Sequence, residues 1–483
     1  MDIFGIIYKA LAKLNKLVTG LRKDVDNKQA KLTYADGNEV TDYKDLKLSM
    51  LKGLPFRDTV LIVNDTKEDG HYVTVTTETS PREEIIVHDQ DYTIYIKDPV
   101  KYFYSDYAEG TLQDYVSACL SMKTPSQSLS FNEYNKLKYC GYIDTMDSSE
   151  INLTYCFKGC YNINSIPDYF IQVPVNKMNY AFRGCALLTK LPKLDTSLCT
   201  DFSYCCDSCG MYEMPNWDFS NAINMDHFAA YANKIKNINI DIPNVTNANY
   251  MFADCNNLTE ASISMGSANL LQALFYRNKN LNKVSLILHD NDDKLYINLA
   301  NAFTDCPNLE TLYLEGFSEN CYVEDLEFTW TECSKLTEIP DINVSPDNLN
   351  PTSISGAFNK TSLVKFPKLN GYVRFTNTIY TEKIICETVQ EIPKYNVSSV
   401  KSSGGVAFLT PNLTTLGGFV GINTFLSFAA CPLLTRDSVL NVFNNLAQSN
   451  DTINLHKNTY TKLSEDDIAI AVNRGWTVQK VTN

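Results

Sequence analysis

The chain contains fifteen cysteines, whose thiols are suited to metal binding and to nucleophilic chemistry. Four of them lie close together in the sequence. Cys199, Cys205, Cys206 and Cys209 could be considered as zinc ligands, because thiolates bind zinc strongly. Structural zinc sites usually combine two ligand pairs at a set spacing, and these four cysteines do not form that pattern. No secretion signal accompanies them, so a disulfide framework is not expected either. The sequence therefore predicts free thiols and no metal site.

The histidines and acidic residues form no recognisable catalytic arrangement. The acidic stretch 289–293 (HDNDD) could hold calcium, but it lacks the bidentate glutamate and the spacing of an EF-hand loop, so a solvated loop is favoured. A capsule-degrading enzyme would need two carboxylates facing one cleft, and no recurrent pair of acids is present. No nucleophile elbow or phosphate-binding loop occurs. We expect no enzyme activity, no catalytic residue and no cofactor. The histidines lie in unrelated contexts at His71, His88, His227, His289 and His456.

Charge and hydropathy limit the classes of partner. The net charge is −14 and no basic run is present, so the chain is not expected to bind nucleic acid, which needs cations to neutralise phosphates. Lys9 and Lys13 interrupt the apolar N-terminus, and no signal peptide is expected. The span Ser402–Thr435 has no charged residue, yet it contains prolines, glycines and many hydroxyl side chains. We interpret this span as buried repeat core and expect no membrane insertion.

A repeat of about 25 residues is the main feature of the sequence. In residues 178–192 (MNYAFRGCALLTKLP) apolar anchors stand at offsets 0, 4, 7, 10 and 13, and the same frame recurs along the chain. The cysteine of this frame, or its substitute, falls at 160, 185, 209, 232, 255, 278, 306, 333, 361, 386, about 410 and 431, a mean step of about 25 residues. That period lies within the range of leucine-rich repeats.

The spacing also predicts how each unit folds. Offsets 0, 4 and 7 share one face of a short helix, and the later anchors, often followed by proline, lead into an extended segment. One unit has too little apolar surface to be stable alone, so stacked units must bury their anchors against one another. We predict an α/β solenoid of about twelve repeats over residues 151–435, with the cysteines stacked in its core.

The repeat resembles a known family. Asn244–Ser264 (NVTNANYMFADCNNLTEASIS) is similar to the BspA-type leucine-rich repeat, and so are residues 191–209 and 216–228. The resemblance covers about residues 150–435. It implies a leucine-rich-repeat solenoid that binds rather than catalyses, as in bacterial surface adhesins, protist surface proteins and bacteriophage structural proteins.

A heptad seam lies in residues 1–28, before the repeats. The seam favours one of two structures: an amphipathic helix packed on its own domain, or a short oligomerising or docking helix. Fewer than three heptads and the presence of Gly20 would make such a helix weak by itself. The seam residues, which we take as the candidate docking site, are Ile7, Leu11, Leu14, Val18, Leu21 and Val25.

The sequence predicts a small β-rich domain over residues 32–115. A linker or N-terminal cap is expected over residues 116–150. Strand-like runs occupy 59–63, 72–77, 84–88 and 92–97. An aromatic run could form a sugar-binding platform, but core and cross-strand packing is the favoured interpretation. Its members are Tyr92, Tyr95, Tyr102, Phe103, Tyr104 and Tyr107.

An α/β cap is predicted over residues 436–483. It would close the solenoid, whose end would otherwise expose apolar surface. A helix is expected over 437–446, a strand over 452–455, a second helix capped by Ser464 and ended by Gly475, and a final strand from Trp476. Residues 463–478 are similar to closing segments of phage and surface proteins that carry these repeats. We expect this cap, or a neighbouring subunit, to cover Ser402–Thr435.

Two functional hypotheses follow. The favoured one is a non-enzymatic bacteriophage virion surface protein, a head or tail fibre or decoration protein made in the host cytoplasm. Its N-terminal region would dock to other virion proteins as a homo-oligomer, with a trimer favoured, and its solenoid would bind a host cell-surface protein or glycan. The alternative is a BspA-like adhesin of the bacterial cell surface, which should carry a signal or anchor. A capsule-degrading enzyme is the third and least favoured hypothesis.

Overall fold

The computed structural model describes strands within residues 59–144 and most of residues 150–482. The described parts are 59–64, 72–76, 87–89, 92–97, 142–144 and 150–482, without 165, 167, 169, 172, 267, 290–293, 318–320, 376–380 and 398–404. The chain forms two compact units, Met1–Leu120 with Cys140–Met146 and Ser121–Tyr139 with Asp147–Asn483. The predicted N-terminal helix and its seam residues lie outside the described residues.

The first unit contains a five-stranded sheet in the order β2-β3-β4-β1-β5, with an additional β2–β4 pairing. Its strands are β1 (Thr59–Asn64), β2 (Tyr72–Thr76), β3 (Val87–Asp89), β4 (Tyr92–Lys97) and β5 (Tyr142–Asp144). Strand β4 is antiparallel to β1 and β3, whereas β5 is parallel to β1. The sequence placed β1, β2 and β4 correctly, and β3 lies about three residues later than predicted. Of the predicted aromatic run, only the backbone of Tyr92 and Tyr95 lies in the described residues.

The second unit is a parallel β-solenoid with about thirteen turns. Its larger sheets have the orders β12-β10-β9-β8, β11-β13-β15-β17-β20-β23 and β18-β21-β24-β25-β26, and three two-stranded sheets complete it. The strands are β6 (Ile151–Asn152), β7 (Val175–Lys177), β8 (Asn237–Ile242), β9 (Glu260–Met265), β10 (Lys283–Leu288), β11 (Leu295–Asn298), β12 (Thr311–Glu315), β13 (Cys321–Asp325), β14 (Ile342–Asn343), β15 (Thr352–Ser353), β16 (Leu369–Asn370), β17 (Tyr372–Arg374), β18 (Glu382–Ile385), β19 (Glu391–Ile392), β20 (Tyr395–Val397), β21 (Val406–Leu409), β22 (Thr415–Leu416), β23 (Phe419–Val420), β24 (Leu426–Phe428), β25 (Thr452–His456) and β26 (Thr477–Val481). The helices are α1 (Arg436–Asn445), α2 (Lys457–Tyr460) and α3 (Glu465–Val472).

The short helix predicted for each repeat is wrong, because the chain makes tight turns there instead. In nine successive turns, two residues four positions apart have positive φ, a conformation that stops an α-helix. These left-handed pairs are Tyr155/Gly159, Tyr180/Gly184, Tyr204/Ser208, His227/Tyr231, Tyr250/Asp254, Ala273/Arg277, Asn301/Asp305, Phe328/Glu332 and Gly356/Lys360.

The hydrogen bonds explain why this conformation is stable. Alternate N–H groups bond within their own turn, and the others donate to carbonyl groups of the next turn. An α-helix would direct every N–H to its own chain four residues back and could not link neighbouring turns. In one turn the inter-turn bonds are Tyr180 N to Ser203 O (2.9 Å), Phe182 N to Cys205 O (2.8 Å) and Gly184 N to Asp207 O (2.8 Å).

Aromatic rings fill the core at offset 4 of the repeat. Phe157 stacks on Phe182 with ring centroids 5.5 Å apart, and the pairs Phe252–Phe275 and Phe275–Phe303 lie 6.0 and 5.9 Å apart. The predicted stacking of apolar anchors is therefore confirmed for this position.

Two turns break this row, with Cys206 and Ala229 at offset 4. There the buried rings of Trp217 and Phe219 fill the space: Trp217 lies 5.8 Å from Phe182, and Phe219 lies 5.7 Å from Phe228. The core thus stays packed because a ring from another part of the unit replaces the missing one.

A separate C-terminal cap is not supported, because the solenoid sheet continues to the end of the described chain. Strand β25 pairs in parallel with β24, and β26 with β25. The predicted helices are present as α1 and α3, and Ser464 caps α3 in a complete capping box. Residues 436–482 therefore add turns to the same stack, with helices outside the sheet.

Helix α1 covers part of the charge-free span. Its Asn441 side chain donates to Leu416 O (3.1 Å), and Gly421 N donates to Asn445 O (3.0 Å). Gly418 has a φ of +100°, and a Cβ there would lie 2.5 Å from Asn441 O, so glycine permits this close approach. The predicted cover is thus present where α1 meets Leu416, Gly418 and Gly421. Elsewhere in the span the following remain exposed: Leu409, Pro411, Asn412, Thr415, Leu433 and Thr435.

Candidate binding surface

The cysteines that were predicted to stack in the solenoid core are buried, and several act as hydrogen-bond donors. Cys185 Sγ donates to Phe157 O of the preceding turn (3.2 Å), and Cys255 and Cys306 make the equivalent bonds at 3.1 Å. Where the frame has Asn278 instead, its Nδ2 donates to Phe252 O at 2.8 Å. In these four turns the position therefore holds a small donor that reaches a carbonyl one turn back, whereas Ala232 has no donor at this position.

Burial keeps these thiols protonated. It raises the pKa of Cys185 well above its ordinary value and raises the pKa of Cys255 and of Cys306 to about 12. Because the thiolate is the nucleophile and the metal ligand, such thiols are poorly suited to either role.

The cysteine group considered for zinc lies in the same core. Cys199, Cys205, Cys206 and Cys209 are each at most 2% exposed. Within the described residues, no three His, Cys, Asp or Glu side chains are grouped so that they could hold a metal ion.

The structure brings together a Ser–His–Asp group that the sequence did not suggest. His289 Nε2 lies 2.7 Å from Ser264 Oγ and 3.1 Å from Asp241 Oδ1, on the outer side of neighbouring strands. A catalytic triad places the carboxylate on the other ring nitrogen. Here Ser264 Oγ and Asp241 Oδ1 both contact Nε2 of His289. The histidine is therefore not arranged to accept the proton of the serine hydroxyl. The acidic residues 290–293 that follow lie outside the described part of the chain.

Three carboxyl groups near the ninth turn have a raised pKa. For Asp325, Glu327 and Glu382 the largest cause is burial, which disfavours the charged form. The two oxygens of Glu382 accept from Gly356 N (2.9 Å) and Ser355 Oγ (3.0 Å). Glu382 thus supplies the acceptor that a backbone carbonyl supplies in the preceding turns, and its role is structural.

A row of stacked aromatic side chains runs along the surface of the first five turns. We call it the aromatic ladder: Tyr155, Tyr180, Tyr204, His227 and Tyr250. Successive ring centroids are 4.8, 4.7, 4.4 and 4.6 Å apart, with interplanar angles of 3–23°. Each ring belongs to the first left-handed residue of its turn, so the backbone conformation sets the row. The row ends where Ala273 takes this position.

The stacking determines what the ladder offers to a ligand. Tyr155 is 40% exposed and the other four side chains are half-buried. Because each inner ring has a neighbour on both faces, only its edge and its polar atom reach the solvent. The ladder is therefore a row of ring edges and hydroxyl groups, and not a platform of open ring faces.

Charges beside the ladder are paired. Arg183 Nε lies 2.9 Å from Asp207 Oδ2, and its guanidinium lies 5.4 and 5.3 Å from the rings of Tyr180 and Tyr204. His227 Nδ1 lies 3.0 Å from Asp226 Oδ1. Burial, followed by the nearby Tyr155, raises the pKa of Tyr180, and burial, followed by the carboxylate of Asp226, raises the pKa of Tyr204. Both hydroxyls therefore stay protonated at neutral pH.

Three exposed side chains follow the cysteine position in the first three turns, at one, two and three residues after it, and we call them the exposed strip. Its members are Tyr161, Leu187 and Tyr212, which are 58%, 48% and 57% exposed. Between this strip and the ladder the chain carries Gly159, Gly184 and Ser208. The ring of Tyr161 lies against Gly184, where a Cβ would be 3.1 Å from its Cε1 atom. The ladder and the strip together form our candidate binding surface.

Sequence reasoning missed both the ladder and the residues that start six of the turns. The residue before offset 0 accepts a hydrogen bond from the N–H two positions later, which fixes the turn. The signal was an Asn or Asp at this place. The residues are Asn152, Asp201, Asn224, Asn247, Asn298 and Asp325, with bonds of 2.8–3.1 Å.

A family profile and a solved structure are each similar to part of this chain. A profile of the family described as "Mycoplasma protein of unknown function, DUF285" matches residues 151–265, which include the whole ladder. A crystal structure of a leucine-rich repeat protein from Bacteroides ovatus is similar at 15% identity, with a TM-score of 0.36, over 70% of this chain and 88% of that chain. Comparison with curated proteins gives no match. Within the described residues, no helix has the length and apolar character needed to cross a bilayer.

Proposed function

We propose that this chain is a non-enzymatic binding protein of the bacteriophage virion surface, whose solenoid contacts the host cell. The observation that carries the proposal is the candidate binding surface, where a repeated backbone frame aligns five aromatic side chains in one row beside exposed tyrosines. Exposed tyrosines on a rigid frame are suited to recognition, because they give large contacts at a low cost in conformational entropy.

The remaining parts of the proposal concern assembly. The protein is a head or tail fibre protein or a decoration protein. It forms a homo-oligomer and docks to other virion proteins through its N-terminal region. Such an arrangement would present several solenoids together, and linked binding sites raise the overall affinity without new contacts.

The alternative is an adhesin of the bacterial cell surface. It is favoured by the match of residues 151–265 to a family described from Mycoplasma, a bacterium. The same binding surface would serve either protein, so the two proposals differ in location and not in recognition.

Immunogold labelling distinguishes the two locations. An antibody raised against residues 150–482 is applied to thin sections and to purified particles from cultures that produce the chain. Gold on virus particles supports the virion protein, and gold on cell envelopes supports the adhesin. Gold confined to the cell interior of uninfected cultures would contradict both.

Binding is tested separately with the purified full chain. Fluorescently labelled protein is added to whole cells of a panel of bacteria, and flow cytometry measures the bound label. Saturable labelling that unlabelled protein displaces is expected for some strains. Absence of saturable labelling in every strain would contradict the binding function itself.

A further inference from the structure

We propose that the aromatic ladder binds a neutral glycan chain along the solenoid, through hydrogen bonds to the edges and hydroxyl groups of its rings. The inference rests on the proposed binding function and adds the chemical class of the ligand and the mode of contact.

The contact mode follows from the stacking. The faces of Tyr180 and Tyr204 are covered by neighbouring rings at 4.4–4.8 Å, so a sugar ring cannot lie on them. Their hydroxyl groups remain at the surface, and each can donate one hydrogen bond and accept others. A ligand that matches this row must itself present donors and acceptors at every step.

The regular spacing favours a polymer. Four tyrosines and one histidine at steps of 4.4–4.8 Å place a polar ring edge at each step of the row. A chain of similar units can occupy several steps at once, and its weak contacts then add. Glycans combine a repeating backbone with hydroxyl groups that both donate and accept hydrogen bonds.

Electrostatics favour a neutral glycan over an acidic one. Beside the ladder, Arg183 is paired with Asp207, so its cation is already neutralised. The chain as a whole carries a net charge of −14 and would repel a polyanion.

The exposed strip supplies the apolar side of the contact. Tyr161 and Tyr212 are more than half exposed, unlike the inner ladder rings. A glycan lying over Gly159, Gly184 and Ser208, which separate the two rows in the sequence, would meet hydroxyl groups on one side and apolar carbon on the other. This matches the two kinds of surface that a sugar presents.

The test removes two hydroxyl groups and keeps the rings. The double variant Y180F/Y204F retains the stacking, and the control Y313F removes the hydroxyl of a tyrosine that is 56% exposed on strand β12, away from the ladder. Affinity electrophoresis measures binding of the full chain to dextran, amylose and mannan, with dextran sulfate as the anionic probe. We expect at least one neutral polysaccharide to bind, at least a tenfold loss of affinity in Y180F/Y204F, and unchanged affinity in Y313F.

Equal affinity of Y180F/Y204F and the wild type, or preference for dextran sulfate, would overturn the inference. If none of the three polysaccharides binds, bacterial cells labelled by the chain are treated with periodate, which oxidises glycans, or with protease. Loss of labelling with periodate and in Y180F/Y204F supports the inference. Loss with protease alone assigns a protein ligand and overturns the inference, although the proposed binding function stands. Only the absence of all cell labelling would contradict both.

Discussion

At the scale of single residues, the cysteine position shows how a repeat tolerates substitution. Cys255 and Cys306 each donate to a carbonyl one turn back, and so does Asn278. Asn278 also has an Oδ1 atom that is buried without a partner among the described residues. A buried polar atom without a hydrogen bond costs roughly 1–3 kcal/mol, so asparagine is the less favourable donor at this site.

The first prediction concerns this residue. Asn278→Cys keeps a donor and removes the unpaired oxygen, and we expect it to raise the free energy of unfolding by about 1 kcal/mol. Asn278→Ala, which keeps neither donor nor volume, should lower it by about 1–3 kcal/mol. Urea unfolding followed by circular dichroism measures both. A cysteine variant less stable than the wild type would show that the unpaired Oδ1 atom of Asn278 costs less than its amide donor contributes.

A second prediction concerns pH. Burial raises the pKa of Glu382 above its ordinary value of 4.5. The folded state therefore favours the protonated form, so this group's stabilising contribution is present below pH 4.5 and is lost as the pH rises through the folded pKa. Glu382→Gln removes the titration but keeps an acceptor for Gly356 N, and the Ser355 hydroxyl can accept from the amide.

We expect Glu382→Gln and the wild type to have similar thermal midpoints near pH 4, and the variant to become the more stable one towards pH 7. Differential scanning calorimetry between these pH values measures the difference. A difference that is constant with pH, or that favours the wild type at pH 7, would contradict the proposed effect of burial on Glu382.

At the scale of elements, burial could be read from the sequence but backbone conformation could not. The apolar anchors identified the repeat, its period and its buried face, because burial imposes the spacing. Offsets 0, 4 and 7 fit a helix and a pair of tight turns equally well, so the spacing did not distinguish them. The deciding information lay in the Asn and Asp residues before six of the turns, such as Asn224 and Asn247. Their side chains accept a hydrogen bond from the backbone N–H two residues later.

The candidate surface was missed for a related reason. Tyr180 and Tyr204 occupy outward positions between the anchors, and an outward residue leaves no burial pattern in the sequence. Their alignment into a row depends on the left-handed conformation of each turn, which the sequence did not reveal.

The third prediction tests how neighbouring turns compensate for each other. Trp217 fills the core beside Cys206, and its Nε1 donates to Pro192 O at 2.8 Å. Trp217→Ala should lower the free energy of unfolding by about 3–5 kcal/mol, because it opens a cavity. Adding Cys206→Phe to that variant should restore part of the loss, since a ring then occupies offset 4 as in other turns. Chemical denaturation measures each variant.

The exposed Tyr212 is the control for this series, and Tyr212→Ala should change the stability by about 0.5 kcal/mol or less. If Trp217→Ala has an effect as small as Tyr212→Ala, the packing described for these turns is wrong. If adding Cys206→Phe to Trp217→Ala restores no stability, a ring at position 206 does not occupy the space that Trp217 fills.

At the scale of the whole molecule, the assembly proposal leads to a fourth prediction. Light scattering should give an oligomer for the full chain and a monomer after deletion of residues 1–28, because the association surface that we propose is the heptad seam. The free energy of unfolding of the solenoid should not change. A monomer in both cases would contradict self-association through the seam and would leave a docking role on a particle.

The inter-turn hydrogen bonds also determine how the solenoid responds to force. Bonds such as Phe182 N to Cys205 O run from one turn to the next, so tension along the stack loads the turns in series and the weakest interface opens first. Each released turn of about 25 residues adds roughly 80–90 Å of contour length. An attachment protein built this way would yield stepwise under load, lengthening its tether while the remaining turns stay folded and keep hold of the ligand.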